Sequence, residues 1–177
     1  MKLKLAGNIV YDSIVDGPGL RATIFVQGCT HNCPGCHNPS THDLNGGTEV
    51  DINDIINDLE KHKKQFSGVT LSGGEPLLQQ DKLIPICLWC INNHKDIWLY
   101  TGFTYEKVNT LEIMDYIDIV VDGQFIEKYK SYNCLFKGST NQRIIDVKQS
   151  KKLNETFLSI YNDQPTTSVK NKNNIFI

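Results

Sequence analysis

The sequence predicts an α/β protein. The expected form is a single domain with a mostly parallel sheet, arranged as an open, partial (β/α) barrel of about five to six strands. Three observations predict it. Apolar, β-branched runs alternate along the chain with segments of helical periodicity. Most of those runs end in glycine or Asp-Gly, the turn chemistry of strand ends. The chain has 177 residues, 40% of them hydrophobic, which suffices for one packed core. That domain is expected over residues 1–160. A polar tail over 161–177 follows, with Pro165 and the stretch KNKNN.

The elements follow in order. LRATIFVQG (20–28) is a β-branched, mostly apolar run ending in Gly28, and reads as a buried strand. A loop with three cysteines and a polar stretch lead to Gly47. Asp51 is placed to cap a helix in which Ile52, Ile55, Ile56 and Leu59 recur at helical spacing, and KHKK (61–64) suits the negative end of its dipole. GVTLSGGEP (68–76) is a short strand opening into a glycine turn, and a second helix runs from about Asp81 to Asn93. DIWLYTG (96–102) is the third strand, and a helix beginning near Thr104 covers YEKVNTLEIMDY. IDIVVDG (117–123) is the fourth strand and NQRIIDV (141–147) the fifth. Functional loops of parallel α/β sheets gather at the carboxyl ends of the strands. The cysteine loop and the SGGEP, YTGF and VDG turns are therefore expected to face one pocket.

Composition narrows the function. A net charge of −2 gives no reason to expect nucleic acid or an anionic membrane surface as partner. No apolar run approaches the ~20 residues needed to span a bilayer. MKLKLAGNIVYDSIVDG lacks the apolar segment and cleavage site of a secretion signal, so a cytoplasmic address is expected. Six cysteines invite a disulfide framework, but half of them crowd into one short loop, which suits reduced thiols serving a metal. Cys87 and Cys90, in LIPICLWCINN, read as core residues of a buried helix, and Cys134 receives no role. Of 18 lysines and arginines only Arg21 and Arg143 are arginines. An arginine kept against such a bias toward lysine points to planar, bidentate hydrogen bonding.

The chemistry centres on GCTHNCPGCHN (28–38), where Cys29, Cys33 and Cys36 form a C-x3-C-x2-C pattern. Three thiolates serve a structural zinc, an iron–sulfur cluster, or packing alone. Zinc wants a closed tetrahedron, with His31 or His37 as the fourth ligand, but both lie beside or between the cysteines and would strain so compact a site. A [4Fe–4S] cluster normally takes four cysteines. Three leave one iron open, and an open position on a catalytic metal is where a small molecule binds.

CTHNCPGC resembles the signature of the radical S-adenosylmethionine superfamily. SGGEP (72–76) resembles that family's GGE-type motif, YTGF (100–103) its strand-end turn at the cofactor, and DGPGLR (16–21) the segment that precedes the first strand in activating enzymes of glycyl-radical proteins. Within that group CTHNCPGCHNPST, VDGQF (121–125) and GSTNQRIIDV (138–147) resemble the activators of anaerobic ribonucleoside-triphosphate reductase. The likeness covers residues from about 9 to 147, with His37 where an aromatic residue is frequent. It implies a [4Fe–4S] cluster and S-adenosyl-L-methionine as cofactors. Reductive cleavage of the sulfonium would yield a 5′-deoxyadenosyl radical that takes hydrogen from one glycine of the reductase. A low-potential donor such as flavodoxin would supply the electron. The neighbouring alternatives are an activator of another glycyl-radical enzyme, such as pyruvate formate-lyase, or a non-catalytic zinc or iron–sulfur module.

Carried onto this chain, the resemblance makes Cys29, Cys33 and Cys36 the iron ligands. Gly35, Cys36 and His37 form the loop edge against the cofactor, and Gly73, Gly74 and Glu75 form a second wall, whose glycines would let backbone carbonyls approach an ammonium. Tyr100, Thr101 and Gly102 touch the cofactor or simply end a strand. Asp122 binds a hydroxyl or pairs with a lysine. Asp16, Gly17 and Gly19 are backbone devices near the cluster, with Pro18 setting the turn. Arg21 and Arg143 grip a carboxylate or the partner chain, or form buried structural salt bridges.

Overall fold

A computed structural model describes residues 1–164. It contains strands β1 (Lys2–Leu5), β2 (Val10–Ser13), β3 (Arg21–Val26), β4 (Thr48–Asp51), β5 (Gly68–Gly73), β6 (Asp96–Tyr100), β7 (Ile119–Asp122) and β8 (Arg143–Asp146), with helices α1 (Ile52–His62), α2 (Gln80–Asn92), α3 (Tyr105–Val108) and α4 (Val147–Leu153). All eight strands form one sheet in the order β4-β1-β3-β5-β6-β7-β8, and β2 pairs with β3 beside β1. The sheet is open, because its edge strands β4 and β8 do not meet.

The α/β class, the single domain and the open sheet are as expected. The strand count and the degree of parallelism are not. Only β3–β5, β5–β6 and β6–β7 pair in parallel. The strands the sequence reading omits, β1, β2 and β4, pair antiparallel to β3 or to one another. Each has four residues and is at most half apolar, too short to register as an alternating pattern. Strand β8 also runs antiparallel to β7, because a loop rather than a crossover helix joins them.

Period-two alternation gives the sheet two unlike faces. Ala22, Ile24, Val26, Val69, Leu71, Ile97, Leu99 and Val120 enter the main core beneath α1 and α2. The opposite face of β3, β5 and β6 carries Arg21, Thr23, Phe25, Thr70, Ser72, Trp98 and Tyr100. Asp51 caps α1 by accepting from Asn53 N at 2.9 Å, and Ile52, Ile55 and Leu59 are buried as the spacing predicts. The helix expected over 105–116 is instead one α-turn followed by a 3-10 turn at Glu112–Asp115. Asn109 and Thr110 are poor helix formers and Leu111 is extended, with ψ 141°, which breaks the run. Of the expected tail, 165–177 lies outside the described residues. Tyr161 packs against Trp98 and Phe136, and Asn162 Oδ1 accepts from Ile144 N at 2.9 Å.

Arg21 is fully buried at the start of β3. Its guanidinium donates to Thr70 Oγ1 (2.6 Å), Asp96 Oδ2 (2.8 Å) and the Val69 carbonyl (2.8 Å), and stacks over Trp98. Gly17, at φ 137°, makes room for that side chain, and Gly19 sits against Ser67. These residues stand at the amino end of the parallel strands, so they brace the sheet away from the cysteine loop.

A candidate iron–sulfur site at the carboxyl ends of the strands

Parallel pairing puts the ends of β3, β5, β6 and β7 on one edge: Val26 is level with Gly73, Leu71 with Leu99, and Tyr100 with Val121. The four loops that leave this edge enclose an open cavity of about 220 Å³. Its lining includes Cys29, Cys33, Cys36 and His37 from the first loop, Ser72, Gly73 and Gly74 from the second, Tyr100, Thr101 and Gly102 from the third, and Gly123 and Phe125 from the fourth. The convergence expected from the strand-end glycines is therefore present. Asp16 also faces the cavity, its Oδ2 held by the hydroxyls of Ser13 (2.6 Å) and Thr23 (3.0 Å).

Two of the residues picked out from sequence stand behind the lining. Gly35, at φ 70°, turns the cysteine loop in a conformation that favours glycine, and its outer side meets Glu127. Glu75 is fully buried. Its Oε2 accepts from Thr101 Oγ1 (3.0 Å), Gly102 N (2.8 Å) and His31 Nε2 (2.8 Å), and its Oε1 accepts from Leu77 N (3.1 Å). Glu75 thus ties the loops together rather than walling the cavity.

The glycines of SGGEP have a reason inside the fold. A Cβ on Gly73 would lie 2.4 Å from Val26 N, and one on Gly74 would lie 2.3 Å from Gly28 O. The turn after β5 therefore presses its backbone directly on the start of the cysteine loop. Asp122 is paired, though not with lysine: Arg143 holds it through Nε (3.0 Å) and Nη2 (2.5 Å), and also forks onto Glu106. Asp122 Oδ2 additionally accepts from Tyr105 N at 2.7 Å, which caps α3. Both arginines make the multidentate contacts that lysine cannot.

The donor set suits iron and sulfide. Burial pushes the Cys29 thiol up, and the charge of Glu75 adds to it, against main-chain N–H groups of His31 and Asn32 that pull the other way. Cys33 is pushed up by burial and then by Cys29 and Cys36. Three crowded thiolates repel one another until a polycationic core binds them. Among the described residues, no three His, Cys, Asp or Glu side chains converge on a single ion position.

Sequence reasoning missed Phe125 and Gln142, and weighed His31 only as a zinc ligand. Phe125 packs on His37, with centroids 5.1 Å apart. Gln142 accepts from Gly138 N (2.9 Å) and donates to the Gly123 carbonyl (3.0 Å), closing the fourth loop. Both lie in segments whose resemblance was legible, VDGQF and GSTNQRIIDV, but no local pattern marks the individual side chain.

Comparison with known proteins agrees with this geometry. The family model described as a 4Fe-4S single cluster domain matches residues 15–145. The anaerobic ribonucleoside-triphosphate reductase-activating protein of Escherichia coli K12 is 39% identical over 140 residues, which is 73% of this chain and 90% of that one. Proteins of the same name from Enterobacteria phage T4 (38% over 136 residues, 73% of this chain and 86% of that one) and Haemophilus influenzae (36% over 140 residues, 74% and 90%) are similar along the same stretch.

Proposed function

Because the chain belongs to the family of anaerobic ribonucleoside-triphosphate reductase-activating proteins, with a 4Fe-4S single cluster domain, we propose that it is a radical S-adenosylmethionine activase that installs a glycyl radical on that reductase. Cys29, Cys33 and Cys36 would hold a [4Fe–4S] cluster and, with no fourth cysteine beside them in the cavity, would leave it open to S-adenosylmethionine. Bound there, the cluster and S-adenosylmethionine would supply reductive cleavage of the sulfonium, with methionine as leaving group, and abstraction of a hydrogen atom from the target glycine.

The chain's own residues position and shield. Gly73, Gly74, Tyr100, Thr101 and Gly102 line the cavity with the cysteines, as do His37 and Phe125, which pack on each other. With the cofactor and the target glycine in place, the loops around the cavity would shield the reacting atoms from water. A low-potential donor such as flavodoxin delivers the electron, and the protein works in the cytoplasm. No helix among the described residues is long and apolar enough to cross a membrane.

The observation that carries the proposal is the meeting of three cysteines, and no fourth, with the glycine turns of three further strands in one cavity. The test is anaerobic EPR of the reconstituted, reduced protein with and without S-adenosylmethionine. A [4Fe–4S]⁺ signal whose g-values move on adding the cofactor is expected. A signal indifferent to it would indicate an electron carrier, and zinc in place of iron would end the enzyme reading.

A further inference from the structure

His31 lies midway between Cys29 and Cys33, and its side chain, only 10% exposed, sits at the wall of the cavity. Its Nε2 is 2.8 Å from Glu75 Oε2 and its Nδ1 3.0 Å from Gln124 Nε2. The ring meets Phe103 edge-on at 4.6 Å, and a Cβ on Gly102 would stand 2.4 Å from it. One imidazole therefore touches all four loops at the carboxyl edge: its own and those after β5, β6 and β7.

The hydrogen bonds assign its tautomer. Glu75 Oε2 is a carboxylate oxygen and accepts, so Nε2–H donates to it and Nδ1 is left to accept from Gln124. Glu75 is a firm anchor, since its four donors come from three separate segments. The cysteine loop needs an anchor of this kind. Among the described residues, no main-chain N–H from Thr30 to Gly35 donates to a main-chain carbonyl. Asn32 and Gly35 take left-handed conformations, with φ 48° and 70°.

We propose that His31 is a positioning residue: by hanging the cysteine loop on Glu75 and Gln124, it sets the three thiolates for the cluster before iron arrives. The inference rests on the cluster reading above. It differs from a packing role in its dependence on one hydrogen bond, from Nε2–H to Glu75. Glutamine places an amide N–H about where Nε2 stands, whereas asparagine reaches only the place of Nδ1.

The test compares wild type, His31→Gln, His31→Asn, His31→Ala and Gln124→Ala after anaerobic reconstitution with iron and sulfide. Iron per chain, cluster lifetime against a chelator and the EPR g-values of the reduced cluster are read for each, and the apo chains are unfolded in urea. Supporting groups around a metal site typically contribute roughly 10–100-fold in metal affinity. His31→Asn and His31→Ala should lose the cluster faster within that range and show altered g-values, Gln124→Ala should fall between, and His31→Gln should stay near wild type. His31→Asn and His31→Ala should lower the apo urea midpoint, because each takes a donor from the buried Glu75 carboxylate, so iron retention is compared under conditions where every apo chain is folded. If His31→Asn and His31→Ala hold iron as long as wild type with the same g-values, the proposal fails. It fails equally if His31→Gln is as poor as His31→Ala, since the ring would then act by bulk alone. A wild type that takes up no iron would overturn the cluster reading instead.

Discussion

Replacing Gly74 by alanine tests how tightly the turn after β5 is locked to the cysteine loop. The new methyl would stand 2.3 Å from the Gly28 carbonyl oxygen, 2.7 Å from its carbon and 3.0 Å from the Thr41 oxygen. Comfortable contacts between non-bonded heavy atoms are nearer 3.5 Å, so the two turns must part by about 1 Å. All three neighbours are main chain, and no rotamer change can absorb the strain. The contact is bracketed by hydrogen bonds from Gly74 N to Val26 O and from Glu75 N to Gly28 O, both 2.8 Å. Separation of that size breaks the second. Overpacking costs about 1–3 kcal/mol and the lost bond about 1, so the apo protein should lose about 2–4 kcal/mol. Urea unfolding of the apo chain, followed by far-ultraviolet circular dichroism, reads this as a lower midpoint at unchanged slope. Cys29 follows Gly28, so the variant should also retain less iron under conditions where its apo form is still folded. A loss under about 0.5 kcal/mol, the scale of an ordinary surface substitution, would refute the reasoning and show slack between the turns.

Three further outcomes are expected. Arg21→Lys should lower apo stability by about 2–4 kcal/mol in the same urea assay, because Thr70, Asp96 and Val69 are each bonded by a different guanidinium nitrogen and one ammonium nitrogen cannot stand in all three places. Iron content measured on the folded Arg21→Lys fraction should match wild type. Glu106 is held down from 4.5 to about 2, chiefly by the Arg143 fork and then by Thr156. Its contribution to stability is complete above pH 4.5 and disappears as pH falls through about 2, so Glu106→Gln should flatten the acid-unfolding curve in that window. An unchanged acid limb would mean that the fork is not kept in solution. Cys36→Ala should fail to reconstitute, whereas Cys87→Ala should load iron normally and cost about 1 kcal/mol, as read by iron analysis and urea unfolding.

The parallel centre of the sheet was legible because β3, β5, β6 and β7 are short apolar runs closed by glycine or Asp-Gly. Those same closing residues told where the loops would gather. The antiparallel flank was not legible: KLKL, VYDS and TEVD are too short and too polar to announce a strand, and gain their order from pairing with neighbours distant in sequence. The cysteine triplet was plain, because three thiols at that spacing have few other uses. Glu75 was legible as part of the site but misplaced within it. A motif says that a residue is required; only the fold says whether it faces the cavity or braces the wall. Arg21 shows the same limit. Its rarity in a lysine-rich chain pointed to multidentate bonding, while its place at the amino end of β3 decided that the bonding is structural.

The burial of Cys87 and Cys90 in α2 has a practical consequence. Both are fully enclosed, and burial drives the Cys87 thiol up to about 12 and the Cys90 thiol up as well, so neither offers a nucleophilic thiolate near neutral pH. The other four thiols are partly exposed, three in the loop and one at Cys134. An alkylating reagent applied to the native apo chain should therefore find four targets, and applied to a fully loaded chain only Cys134. With Cys29, Cys33 and Cys36 as the proposed ligands, the ratio of label at the loop to label at Cys134 should gauge occupancy, readable by peptide mass spectrometry without calibration against a second protein.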